Sequence, residues 1–258
     1  MSTALADGTR IEYEVQGAGE PVLLVHGLGY ARWGWEPIAD RLSTDFLVVS
    51  FDNRGIGESD VPPGPYTVAQ LAADAVAVLD AAGLERVGLV GASLGGMVAQ
   101  QVAIAYPERV EKLVLLCTTP GGADAYPMPE RTVRLFAEAA SLPPEEALRR
   151  FVENSLSVRG ELVDVLYERR LANPPHPQGW QAQAAAGMGW DAAGRLGQIS
   201  APTLILHGTA DNVIDYRNSE LLAEAIPGAR LRLFDGAGHL FFWEQPDEIA
   251  DEIREFLR

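Results

Sequence analysis

Ser93 stands between Gly91 and Gly95 in the run Gly-Ala-Ser-Leu-Gly, which Gly96 extends. An apolar stretch, 87–91 (VGLVG), comes directly before it, and a helical pattern over 94–106 comes directly after. The spacing G-x-S-x-G in that order suits a sharp turn from strand to helix. Only small residues fit two places on either side of such a turn, which lifts the serine into the open. The helix N-terminus beneath favours negative charge developing nearby. A serine hydroxyl is a poor nucleophile at neutral pH, so it needs a base within hydrogen-bond reach and an acid to orient that base. With those two partners the chemistry is acyl transfer.

The base must come from four histidines. His239 closes GAGH (236–239), just past the apolar run 230–234 and before the last helical pattern. That is the C-terminal end of a strand, where open α/β sheets meet their ligands. His26 and His207 each precede a glycine at the end of an apolar run, and His176 lies among Pro174, Pro175 and Pro177, so these three read as structural. The acid is expected between Ser93 and His239 in sequence. Asp211, in HGTADNVI (207–214), follows the run 203–207 and is preferred, with Asp215 and Asp124 as alternatives. The tetrahedral intermediate of acyl transfer needs two amide donors. HGLG (26–29) ends another apolar run, which makes the backbone N–H groups of Leu28 and Leu94 the candidate oxyanion hole. Proton transfer to His239 requires its neutral form, so activity is expected to fall below about pH 6.5.

Elements of the right kind surround these residues. Apolar runs at 21–26, 46–52, 87–91, 113–117, 203–207 and 230–234 are unbroken rather than alternating, which suits strands covered on both faces. Residues 10–16 (RIEYEVQ) alternate and read as an antiparallel edge strand. Helical patterns lie between, over 67–82 from a capping Thr67, over 94–106, and over 246–257 from Pro246. This alternation predicts an α/β fold with a mainly parallel sheet. The stretch 120–199 breaks the rhythm. It holds helical windows near 129–141, 144–157, 160–172 and 178–188 and no convincing strand. It reads as a helical lid inserted between two strands of one sheet.

HGLG (26–29), DNRGIGESD (52–60), GASLGG (91–96), HGTAD (207–211) and GAGH (236–239) occur in the order seen in the α/β-hydrolase superfamily, which the chain resembles over nearly its whole length. The resemblance implies a mostly parallel eight-stranded sheet with helices on both faces. It also implies a core formed by 1–119 and 200–258, a helical cap over 120–199 after the sixth strand, and a Ser93–Asp211–His239 triad. DNRGIGESD is then a structural turn without a catalytic role. Within the superfamily the chain looks most like small carboxylesterases and 3-oxoadipate enol-lactonase-like hydrolases. Members with an aspartate nucleophile are disfavoured by Ser93. A lyase lysine is disfavoured because Lys112, the one lysine, opens the run 113–117 at the far end of the sheet.

Composition narrows the partners. A net charge of −16 repels phosphate backbones and anionic membranes, which argues against nucleic acid and membrane surfaces. One cysteine, Cys117, excludes an intramolecular disulfide. The N-terminal segment lacks the basic start and apolar stretch of a secretory signal, so a cytoplasmic protein is expected. No nucleotide or metal motif is present, and no cofactor is expected. The expected partner is a small-molecule ester or lactone. Candidate pocket residues are Tyr30, Trp33, Met128, Phe136, Trp180, Met188 and Phe241, which favour a small to medium apolar neutral ester. Arg131 and Arg134 could instead receive a carboxylated lactone, but the overall charge steers such substrates away. Carbon–carbon bond hydrolysis and perhydrolysis use the same residues, and a receptor on this fold could retain them without turnover.

Overall fold

The computed structural model of the chain describes residues 1–139 and 141–258. Strands β1 (Ser2–Ala6), β2 (Thr9–Gly17), β3 (Glu20–Val25) and β4 (Phe46–Phe51) come first, with helix α1 (Glu36–Leu42) between the last two. Then follow α2 (Val68–Ala81), β5 (Val87–Ala92), α3 (Leu94–Ala105) and β6 (Val110–Leu116). Helices α4 (Glu130–Ala139), α5 (Pro144–Ser155), α6 (Glu161–Ala172) and α7 (Pro177–Met188) separate β6 from β7 (Thr203–Gly208). The chain ends with α8 (Arg217–Ala225), β8 (Arg230–Phe234), α9 (Phe241–Glu244) and α10 (Pro246–Leu257).

The eight strands form one sheet in the order β1-β2-β4-β3-β5-β6-β7-β8. Pairing is parallel from β4 through β8 in that order, and antiparallel among β1, β2 and β4. The alternating run 10–16 does pair antiparallel, but it is not the edge. β1 lies outside it, pairing Ser2 with Tyr13 through Ala6 with Thr9. The sequence hides β1 because only Ala4 and Ala6 face inward on it, too little apolar surface to make a pattern.

Every residue of β5 and of β7 is buried, as continuous apolar runs require of strands covered on both faces. One core packs α2 and α3 against one face, around Leu23, Leu71, Leu89 and Val98. The other packs α1, α9 and α10 against the opposite face, around Trp35, Leu116, Phe242 and Ile253. Helix α2 starts where Thr67 accepts the amide of Gln70 while the Gln70 side chain accepts that of Thr67. That reciprocal cap satisfies two of the orphan donors at the helix start. Among the described residues no helix is long and apolar enough to cross a membrane.

Candidate active site

Parallel strands deliver the candidate residues to one edge of the sheet. Ser93 follows β5, Cys117 follows β6, Asp211 follows β7 and His239 follows β8. Ser93 adopts φ 56° and ψ −121°, outside the usual regions for a residue with a side chain. Its neighbours explain the glycines. A Cβ on Gly95 would lie 2.0 Å from Val25 O, and one on Gly91 would lie 2.3 Å from Gly95 O. The turn closes only if both positions lack a side chain. Ser93 is held from below, its N–H donating to Leu116 O at 2.9 Å and its carbonyl accepting from Thr118 Oγ1 at 2.7 Å.

Asp211 and His239 meet directly, with His239 Nδ1 2.6 Å from Asp211 Oδ2. Asp211 Oδ1 accepts the amides of Val213 and Ile214 at 2.7 and 2.9 Å. Burial works against the charge of Asp211, yet His239 and His207 outweigh it and hold the carboxyl far below the usual range. Burial likewise works against a charged His239, and the Asp211 carboxylate again prevails, raising His239 well above the ordinary histidine value. His239 also meets the Cys117 thiol, which burial pushes up and so keeps protonated. Ser93 Oγ makes no hydrogen bond to His239 among the described residues; contacts of this kind tighten when substrate binds.

Of the three candidate acids, Asp211 is the one in contact with His239. Asp215 is spent on Arg217, and Asp124 is exposed. Lys112 donates to Leu257 O at the start of β6, away from the site. Leu28 and Leu94 donate their amides to no other group among the described residues. Their loops are adjacent, since a Cβ on Gly27 would lie 2.9 Å from the Ser93 Cβ.

Three supports escape a reading of the sequence. Gln183, fully buried on α7, accepts from Gly29 N–H at 3.3 Å and donates to Arg54 O at 2.8 Å. Arg170 of α6 donates to Gly29 O at 2.7 Å and lies 4.4 Å from the Tyr30 ring centre. Glu244 accepts from Gly238 N–H at 3.0 Å and Ser157 Oγ at 2.9 Å, clamping the His239 loop to the insertion. Apart from Gly238, six residues before Glu244, the partners lie far off in the chain, so little local signal marks them.

The candidate pocket residues separate. Tyr30 and Trp180 lie beside the Leu28 loop: Tyr30 stacks on His26 at 4.8 Å, and a Cβ on Gly29 would lie 2.7 Å from Trp180 Cδ1. The others need correction. Phe241 is fully buried against Phe234 and Phe242, in the core beneath the sheet edge. Met188 is 89% exposed, because Gly187 is the α7 residue that faces Leu94 and Met97 and the next residue points away. On α4 the inward residues are Thr132 and Leu135, which leaves Phe136 exposed against Phe151, and Met128 is exposed before the helix. Trp33 lines an outer groove of about 620 Å³ with Glu14, Arg32, Asp52 and Glu58. A second cavity of about 480 Å³ lies between α4 and α5. Neither contains Ser93, Asp211 or His239. Arg131 and Arg134 border the second cavity, and Arg134 pairs with Glu130.

The other histidines divide too. His26 accepts Gly27 N–H at 2.7 Å, and burial lowers its pKa to about 3, so its ring stays neutral. His176 is exposed at the start of α7. His207, read as structural, bonds directly to Asp211.

A family described as the alpha/beta hydrolase fold matches residues 20–246. The chain belongs to that family. A 2-hydroxy-6-oxo-6-phenylhexa-2,4-dienoate hydrolase from Comamonas testosteroni is 34% identical, over 96% of this chain and 91% of its own. A poly(3-hydroxyalkanoate) depolymerase from Ectopseudomonas oleovorans is 33% identical, over 92% of this chain and 84% of its own. Among solved structures, an esterase from Exiguobacterium antarcticum superposes with a TM-score of 0.89 at 26% identity, covering 99% of this chain and 98% of that one. The enol-lactonase of Burkholderia xenovorans LB400 gives 0.83 at 26% identity, covering 99% of each. As the sequence motifs implied, the fold is that of an α/β hydrolase and the protein is a hydrolase.

Proposed function

We propose that this hydrolase cleaves carboxylic esters by two-step acyl transfer at Ser93. His239 Nε2 takes the Ser93 proton as Oγ attacks the ester carbonyl. Asp211 accepts the His239 Nδ1 proton in a hydrogen bond and stabilises the imidazolium. The oxyanion lies against the Leu28 and Leu94 amides. His239 then protonates the leaving alkoxide. Water, deprotonated by the same nitrogen, attacks the acyl-enzyme, and the proton returns to release the acid and Ser93.

One observation carries this reading: a buried Asp211–His239 pair at the sheet edge where Ser93 sits in a glycine-dependent, positive-φ turn. The inserted helices 120–199 act as the cap, reaching the Leu28 loop through Gln183, Arg170 and Trp180. A neutral ester suits the net charge of −16. It also suits Arg170, whose guanidinium is already engaged with Gly29 and Tyr30. A cytoplasmic setting fits the lone buried thiol of Cys117.

The Comamonas relative supports a second reading, carbon–carbon bond hydrolysis on the same three residues. Turnover on p-nitrophenyl esters from acetate to dodecanoate separates the two when measured beside 2-hydroxy-6-oxo-6-phenylhexa-2,4-dienoate. Repeated ester turnover that exceeds dienoate cleavage and is lost in Ser93→Ala is the expected result. Dienoate cleavage without ester turnover would establish the second reading. A single stoichiometric event would indicate a receptor.

A further inference from the structure

Beside the triad lies a buried histidine that the hydrolytic scheme leaves unused. His207, the last residue but one of β7, is fully buried. Its Nε2 is 2.9 Å from Asp211 Oδ2 and 3.2 Å from Ile214 O. A carboxylate and a carbonyl only accept, so Nε2 carries the hydrogen. In the neutral ring Nδ1 is then the acceptor, and Ser219 Oγ, 2.6 Å away on α8, donates to it. Ser219 is itself fully buried. The result is a chain of donors from Ser219 through His207 to Asp211, met from the other side by His239.

Both imidazoles use the same carboxylate oxygen, Oδ2, while backbone amides occupy Oδ1. We propose that His207 is a positioning residue of the triad, which holds the Asp211 carboxylate in place and shares its Oδ2 with His239, so that His207 and Ser219 set how strongly Asp211 grips the base. This inference rests on the reading of Asp211 and His239 as triad members.

The physics is a competition. A donor on a carboxylate oxygen spreads the negative charge there, and a second donor on that oxygen then binds less strongly. With His207 in place, Asp211 attracts the His239 imidazolium less than a free carboxylate would. Without it, His239 keeps its proton to higher pH, and the carboxylate gains freedom to turn away. Ser219 sharpens the effect, because donating to Nδ1 strengthens the Nε2–H bond on the far side of the ring. The other titratable groups facing this pair are Asp215 toward His207, and Cys117 and His26 toward His239, with Arg170 acting on His26. All of them persist in the variants below, so a change isolates His207.

His207→Phe keeps the ring volume and removes the donor. His207→Gln keeps a donor at the reach of Nε2. Ser219→Ala weakens the donor from behind. Each is made in a Ser93→Ala background with 13C-labelled histidine, and the His239 ring is titrated by NMR. This readout needs no turnover, so it stands apart from the ester assay, whose failure would count against the acyl-transfer reading alone. In His207→Phe the His239 pKa is expected to rise by about one unit. Ser219→Ala should move it a smaller amount in the same direction, and His207→Gln should restore it. With Ser93 present, His207→Phe should lower kcat about 10-fold with KM little changed. An unmoved His239 in folded His207→Phe, or an equal shift in His207→Gln, would overturn the proposal. If both His207 variants fail to fold, an unmoved His239 in Ser219→Ala would do so.

Discussion

At the C-terminal edge of the sheet, Asp211 accepts from two imidazoles and two backbone amides, and every residue of β7 beneath it is buried. On the inserted helices, α4 buries only Thr132 and Leu135, and α5 only Val152 and Asn154. Their charges form exposed pairs such as Arg149 with Asp164 and Arg150 with Glu146. Exposed pairs of this kind contribute about 0 to 1 kcal/mol each. The sheet edge is thus over-determined: strands, amides and buried polar groups all constrain the same few side chains. The insertion is anchored by apolar side chains in both cores, among them Val152, Leu156, Val163, Leu166 and Ala186, and by polar contacts that include Gln183, Arg170, Glu244 and Thr132. Chemistry is expected to depend steeply on the first region. In the second it is expected to depend on the contacts that reach the Leu28 and His239 loops, Gln183, Arg170 and Glu244 among them.

The largest effect should come from Ser93→Ala, which is expected to remove ester turnover by a factor on the order of 10⁶ in kcat, as measured in steady state. Retained turnover would move the nucleophile elsewhere. Asp211→Asn should follow, with a loss of about 10⁴-fold. Asp215→Asn, which touches Arg217 instead, should stay close to wild type. A reversal of that pair would reassign the acid. Gln183→Ala tests whether the insertion matters where it touches the Leu28 loop. It frees Gly29 and should cost about 10-fold to 100-fold in kcat/KM, with circular dichroism and melting showing the fold retained. No loss would mean that the Leu28 and Leu94 amides are placed by the sheet edge alone.

A pH profile of kcat/KM sharpens the same contrast. A general base must be neutral to act, and Asp211 raises the pKa of His239, so the acid limb should lie above about pH 6.5 rather than at the ordinary histidine value. A limb below 6.5 would mean that burial outweighs the carboxylate. The smallest effect belongs to Met188→Ala. That side chain is exposed, so stability should change by no more than about 0.5 kcal/mol, and turnover should stay within about twofold. A large rise in KM would place Met188 against substrate and bring the insertion nearer to the sheet edge in importance.

What the sequence revealed follows the same division. Ser93 and its glycines are legible because backbone clashes alone dictate them, at Val25 O and Gly95 O. Asp211 and His239 are legible because strand ends place them. The four inserted helices are legible from their periodicity, although their inward faces are not. Phe136 and Met188 are apolar by type, yet their neighbours Leu135 and Gly187 take the inward positions. Gln183 was invisible because its partner Gly29 lies 154 residues away, and a buried glutamine gives no local signal. His207 reads as structural from the sequence alone because its meaning depends on which oxygen of Asp211 it reaches. The edge strand β1 escaped because two alanines make no apolar run.

Ser93 is the proposed nucleophile, activated by His239 and Asp211. Reaction of the intact protein with a fluorophosphonate, followed by mass spectrometry of the chain and its peptides, tests it without a choice of substrate. One adduct per chain on the peptide bearing Ser93, slowed in Asp211→Asn and absent in Ser93→Ala, is the predicted result. A folded wild-type protein that stays unmodified, or carries the adduct on another residue, would rule Ser93 out as the activated nucleophile.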